Sequence, residues 1–219
     1  MPAAIRVLVV DDHPAVRTGL LAMLADEPGI EPAGAAASAS DAHEAWLSAG
    51  ERPDVVLVDY HLPDEDGLSL CLWLKGAAEA PAVVIYSAFA DEALALPAVV
   101  AGADALVGKS SDPAVIGEVV RAVAAGQRRL PPVSPQVDGD LGARLAPEDL
   151  PILGMLRHGV PASEVAVTLG IGGGELATRR WAMLELLTAA PERIAERRTA
   201  LPVHAMRTAS FPSAISSPG

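Results

Sequence analysis

Short apolar runs in this chain stop on residues that can handle a phosphoryl group: IRVLVV on Asp11 and Asp12, VVLV on Asp59, AVVIY on Ser87, and ALVG on Lys109. Three carboxylates brought into one pocket repel each other unless a hard cation compensates them. Mg²⁺ suits that role, because it binds through a few carboxylates and keeps positions for water and phosphate oxygens. With Mg²⁺ held by Asp11, Asp12 and Asp59, the Asp59 carboxylate can attack a phosphoryl donor while Lys109 neutralises charge on the transferring oxygens. Ser87 then offers its hydroxyl to the new acyl phosphate. The chain has only two lysines against fourteen arginines, so a lysine at this strand end is there for its chemistry.

Placing these side chains together requires strands that all run the same way. The runs are rich in Val, Ile and Leu without polar alternation, which is how strands read when helices cover both sheet faces. Between them lie segments with helical spacing: Val16, Leu20, Leu21 and Leu24; Ala42, Ala45 and Trp46; Leu68, Leu72 and Leu74; Val115, Val119, Val120 and Val123. The alternation predicts an α/β fold, a flavodoxin-like doubly wound five-stranded parallel sheet. In the strand order 2-1-3-4-5, strand one lies beside strand three, and ligands bind outside the carboxyl ends where the order reverses. Asp11 and Asp12 then meet Asp59 at that edge.

Plainer roles compete residue by residue. Asp11 or Asp12 can cap the helix opening at Pro14. His13 and His61 read as loop residues, since no second His or Cys lies at metal-ligand spacing. Cys71 reads as a small core residue, and Trp46 and Trp73 as packing.

VVDDHPAVR, DVVLVDYHLPDEDGL, YSAFAD and GADALVGKS together resemble the receiver domain of two-component response regulators over residues 5 to 125. The resemblance implies that Asp59 is the phosphoacceptor, Asp12 a direct Mg²⁺ ligand, Asp11 its water-mediated partner and the His61 backbone carbonyl a further ligand. It also implies that Ser87 is the switch hydroxyl, Lys109 the phosphate-binding lysine, and a histidine kinase the donor. Pro63 and Gly67 would shape the loop after Asp59. Two features depart from the family. Where it usually carries an aromatic residue shortly before the lysine, this chain has Leu106 and Val107. Pro97 falls inside the segment Asp91 to Ala101, expected as the fourth helix, where an interior proline costs about 3 kcal/mol or more. A late start, a kink or a break is expected there.

The sequence divides into a receiver domain over 1–126, a Pro- and Gly-rich linker over 127–144, a helical domain over 145–188 and an extension over 189–219. LAPEDLPILGMLRHGV reads as a helix stopped by Gly159, and PASEVAVTLGIGGGELATRRWAMLELL as helix, tight turn and helix. From Leu145 to Leu187 this resembles the four-helix LuxR-type DNA-binding domain that follows receivers in NarL/FixJ regulators. The presumptive recognition helix, Glu175 to Leu187, has Glu175 where a hydroxyl is usual, Ala177 where a basic residue is usual, and Arg180 where an apolar residue is usual. Three glycines, Gly172 to Gly174, stand in place of polar capping residues. Arg179 and Arg180 remain as DNA contacts, and Trp181 is expected to fill core space that Arg180 leaves. In the extension, Pro191 to Arg198 reads as a short helix and the remainder as a disordered tail rich in Ser, Pro and Ala.

The net charge is −12, of which residues 1–130 carry −11 and the remainder −1, so no segment shows the basic footprint of a nucleic-acid binder. A single cysteine excludes an internal disulfide framework. No leader opens the chain and no apolar stretch reaches the roughly 20 residues of a membrane helix, so a cytoplasmic protein is expected. Two functions fit these features. In the first, a histidine kinase phosphorylates Asp59 and the protein, as a homodimer, controls transcription through its C-terminal helix-turn-helix. In the second, the receiver serves signalling or oligomerisation, its C-terminal domain is degenerate and does not bind DNA, and its regulation is independent of phosphate. An enzyme acting on a small molecule is not expected, since the carboxylates already have roles.

Overall fold

A computed structural model describes residues 3–189. The short helix expected at Pro191 to Arg198 and the tail beyond it lie outside the described residues. Five parallel strands, β1 (Ile5–Val10), β2 (Ile30–Ala36), β3 (Val55–Asp59), β4 (Ala82–Ser87) and β5 (Ala105–Gly108), form one sheet in the order β2-β1-β3-β4-β5. Helices α1 (Pro14–Asp26), α2 (Ala39–Ser48), α3 (Gly67–Leu74), α4 (Glu92–Ala101) and α5 (Pro113–Ala124) alternate with the strands. The doubly wound fold is the one expected from the sequence.

Strand side chains point alternately to the two faces, so each strand feeds two cores. Val7, Val9, Val55, Leu57, Val84, Tyr86, Ala105 and Val107 meet the inner sides of α1 and α5 through Leu20, Leu24, Ile116, Val120 and Val123. Leu8, Val10, Val56, Val58, Val83, Ile85 and Leu106 meet α2, α3 and α4 on the other face. Trp46, Trp73 and Cys71 are buried in that second core, as expected, and burial pushes the Cys71 thiol up to about 12.

The helices start on short polar side chains. Ser38, Asp66, Asp91 and Asp112 each accept a backbone N–H from the first turn of α2, α3, α4 and α5. The exception is α1, which opens with Pro14 after His13 without a side-chain cap, so neither Asp11 nor Asp12 serves as one.

Around Pro97 the expectation of a late start or a break is corrected. Glu92 to Ala101 is one continuous helix, held at its start by Asp91 and closed by Gly102 at φ +82°. Every residue from Leu94 to Ala101 is buried. Burying Leu94, Leu96, Val99 and Val100 contributes about 1.5–3 kcal/mol each, which outweighs the roughly 3 kcal/mol cost of the proline.

Four more helical segments follow: α6 (Pro135–Gly142), α7 (Leu150–Arg157, entered through a 3₁₀ turn at Pro147–Asp149), α8 (Ala162–Leu169) and α9 (Gly173–Thr188). The stretch read as a linker therefore contains α6, capped by Ser134. These helices pack on α4 and α3, on the side of those helices away from the sheet: Ile152, Leu153, Leu156, Val165, Leu176, Met183, Leu184 and Leu187 belong to the same apolar cluster as α3 and α4. Among the described residues, no helix is long and apolar enough to cross a membrane.

Candidate functional site

Asp11 directly follows β1, Asp59 ends β3, Ser87 ends β4 and Lys109 follows β5, so parallel strands in this order deliver all four to one edge. The Lys109 ammonium lies 2.8 Å from Asp11 Oδ2 and 2.7 Å from Asp59 Oδ2. Asp11, Asp59 and Ser87 are buried. Burial disfavours ionisation of Asp59 and raises its pKa, although bonds from Lys109 and from the His61 N–H oppose the shift. Burial also disfavours the charge on Lys109, but its bonds to Asp11 and Asp59 outweigh that and raise its pKa.

Each carboxylate is also aimed by the backbone. The His13 N–H donates to Asp11 Oδ1 at 2.8 Å, and the His61 N–H donates to Asp59 Oδ1 at 3.2 Å. Ser87 Oγ accepts the Phe89 N–H at 3.1 Å, and the Ser87 carbonyl accepts the Lys109 N–H at 2.8 Å. Gly67 lets α3 begin against the strand: a Cβ there would sit 2.2 Å from the Asp59 carbonyl oxygen.

Asp11, Asp12, His13 and Asp59 each offer a ligand atom, all within 4.8 Å of one another. Asp12 Oδ1 is shielded from solvent and accepts no hydrogen bond, with His13 Nδ1 in ion-pair contact at 2.5 Å. Two buried carboxylates and an oxygen of Asp12 without a hydrogen bond form an oxygen donor set that fits a hard divalent cation, with the Lys109 ammonium beside it balancing part of the charge. His13, read from sequence as a loop residue, thus joins the acidic group. Its position in VVDDHPAVR was the available signal. Arg17 was also missed: its Nη1 donates to the Asp11 carbonyl at 2.7 Å and ties α1 to the site.

Far from this edge, the two arginines expected to meet DNA are differently placed. Arg179 pairs with Glu175 at 2.8 Å and lies 3.8 Å from Asp149. Arg180 is 5% exposed, and its Nε donates to the Val100 carbonyl of α4 at 2.8 Å. In this arrangement the Arg180 guanidinium, expected to meet DNA, is turned into the protein, where the Val100 carbonyl accepts its Nε–H. Trp181, expected to fill core, is only partly buried beside it.

Comparison with known proteins agrees with this geometry. The chain is 35% identical over 127 residues to the transcriptional regulatory protein LiaR of Bacillus subtilis (strain 168), an alignment covering 58% of this chain and 59% of LiaR. It thus spans less than two thirds of that relative's length. Its fold resembles the crystal structure of a LuxR-family two-component response regulator from Aurantimonas sp. SI85-9A1, at 31% identity and TM-score 0.54, over 64% of this chain and 97% of that one. A fold likeness at 17% identity and TM-score 0.56 extends over 91% of this chain and 100% of the response regulator RcsB, solved in complex with DNA. The family profile described as "Response regulator receiver domain" matches residues 7–121, the stretch that builds the sheet and its acidic edge. On that match, this chain belongs to the response regulator receiver family.

Proposed function

We propose that the protein is a response regulator in which Asp59 accepts a phosphoryl group from a histidine kinase and a C-terminal helix-turn-helix controls transcription. The observation that carries the reading is the Asp11–Lys109–Asp59 arrangement at the carboxyl edge of the sheet. An oxygen of the Asp59 carboxylate attacks phosphorus, the O–P bond forms, and the bond from phosphorus to the donor imidazole nitrogen breaks. Lys109 shifts from the carboxylate to the transferring oxygens, where its positive charge offsets the charge that develops. Ser87 stands at the next strand end to receive a phosphoryl oxygen. When bound by Asp11, Asp12, Asp59 and the His61 carbonyl, Mg²⁺ would supply further charge neutralisation at the same oxygens.

Support for the transcriptional half comes from the order of α7, α8 and α9 and from the relatives' names. The helix-turn-helix pair is α8 and α9, joined through Gly170 to Gly172. A homodimer in the cytoplasm, reading paired DNA half-sites, completes the proposal. The domain limits proposed are 1–126 for the receiver and 145–188 for the helix-turn-helix.

Phosphorylation is tested by intact mass. Acetyl phosphate and Mg²⁺ should add one phosphoryl group to the wild type and none to Asp59→Asn. A wild type that stays unmodified would sink the phosphoacceptor role.

A further inference from the structure

The loop between Asp59 and α3 carries the His61 carbonyl, and its tip is held by a helix other than the one it leads into. Asp64 Oδ1 accepts the Ala39 N–H at 3.0 Å, and Asp64 Oδ2 accepts the Ser40 N–H at 2.9 Å. Ala39 and Ser40 open α2, where amides have no acceptor within the helix. The next amide, on Asp41, donates to Ser38 Oγ at 3.0 Å, and Asp41 Oδ2 accepts the Ala37 N–H at 3.2 Å. The local cap thus leaves two amides open, and a carboxylate from another loop closes both. Burial disfavours the charge on Asp64, but the N–H groups of Ser40, Ala39, Asp64 itself and Glu65 outweigh that and lower its pKa. The amino end of the α2 dipole favours the same charged form. At its base the loop closes on itself and on α3: the Gly67 N–H donates to the Tyr60 carbonyl at 2.8 Å, and Asp66 Oδ1 accepts the Ser69 N–H at 2.9 Å.

The start of α2 is fastened to the other half of the donor set as well. The Asp11 N–H donates to the carbonyl of Ala36, the last residue of β2, at 3.2 Å, and Ser38 then caps α2. Asp64 therefore closes a ring. It runs from Asp59 along the loop to Asp64, across to Ala39 and Ser40, back through Ala36 to Asp11, and over Lys109 to Asp59 again. We propose that Asp64 is a positioning residue for the acidic edge: by clasping the loop to α2 it fixes the His61 carbonyl relative to Asp11 and Asp12, and with it the affinity of the site for Mg²⁺. The proposal deepens the function above and rests on its reading of this edge as a Mg²⁺-dependent phosphoacceptor site. Octahedral coordination by hard oxygens tolerates little misplacement, so a carbonyl on a loosened loop loses affinity although its own chemistry is unchanged. Both Asp64 oxygens are taken by α2, so its part is geometric and not that of a ligand.

The test is amide NMR on the full chain, read first in EDTA for hydrogen exchange and then through a titration with MgCl₂. Asp64→Ala removes both bonds to α2. Loss of a helix cap changes an equilibrium constant roughly fivefold. In Asp64→Ala, exchange of the amides of residues 60–66 in EDTA and the Mg²⁺ dissociation constant should therefore each rise by at least about threefold. Ser38→Ala is the control, since it weakens the same helix start through the Asp41 N–H but keeps the tie to the loop. Both quantities should rise by less than about threefold in Ser38→Ala. Asp64→Asn keeps one acceptor oxygen for α2, and its Mg²⁺ dissociation constant should fall between those of the wild type and Asp64→Ala. The proposal is overturned by an Asp64→Ala protein in which either rise is smaller than stated. It is equally overturned by a Ser38→Ala protein that reaches the same rise, or by an Asp64→Asn protein that binds Mg²⁺ no better than Asp64→Ala. Failure of the underlying reading looks different. A wild type whose amides do not respond to MgCl₂ overturns the metal set and the proposal together, whereas a wild type that binds Mg²⁺ but gains no mass from acetyl phosphate loses only the phosphoacceptor role.

Discussion

Lys109 places a single ammonium between two buried carboxylates, 2.8 and 2.7 Å away. Lys109→Met leaves those carboxylates facing each other, and removing one partner of a buried pair costs about 3–5 kcal/mol. Urea unfolding at pH 7 in the presence of EDTA should show a loss of that order, and millimolar Mg²⁺ should restore much of it. No recovery with Mg²⁺ would argue against the metal set. Glu65, in the loop after Asp59, offers a pH test. Burial, together with Asp66 and Asp64, raises its carboxyl to about 7. The folded protein then holds a proton that the unfolded chain has lost, so this group's effect on stability falls as pH rises from about 4.5 to 7. Glu65→Gln should match the wild type near pH 4.5 and exceed it by about 1–3 kcal/mol above pH 7, read as a difference in unfolding free energy. Asp11, Asp59, Ser87 and Lys109 were legible because each ends an apolar run, and the strand order alone gathers such ends. Arg180 was not. The sequence shows an arginine interrupting an apolar face, but its carbonyl partner lies 80 residues away.

Among the elements, α4 is the one whose sequence argued against it. Its interior proline removes one backbone donor, yet burial on all sides holds the helix together. Pro97→Ala restores the bond to the Ala93 carbonyl, a gain of about 3 kcal/mol, and loses about two buried methylenes, near 1.6 kcal/mol. The net expectation is a gain of about 1 kcal/mol, measured by urea midpoint with unchanged slope. At the start of α3 the balance goes the other way. Gly67→Ala forces a methyl group to 2.2 Å from the Asp59 carbonyl oxygen and should cost at least about 2 kcal/mol. Strands and capped helices were readable because their period and caps are local. The continuity of α4 and the helix within residues 127–144 depend on what packs over them, which a local pattern does not contain.

At the scale of the whole molecule, charge sets the terms for meeting DNA. The chain carries a net −12, and the arginines of α9 are either paired with Glu175 or buried. Few phosphate contacts mean little counterion release, so the salt dependence of binding should be shallow, with a slope near −0.9 per phosphate neutralised. A mobility-shift titration at two salt concentrations should give a slope no steeper than about −3 per protomer. A much steeper slope would place basic contacts outside α9. The two faces of the sheet also differ. The cluster against α1 and α5 is filled by residues 5–123 alone, whereas the opposite cluster runs without interruption from Leu8 to Leu187. Anyone building chimaeras from this protein therefore has an unequal choice of seams. Grafting the C-terminal helices onto a foreign receiver at residue 127 would strand them without α4, so a working transplant has to carry α4 and its bed along with them.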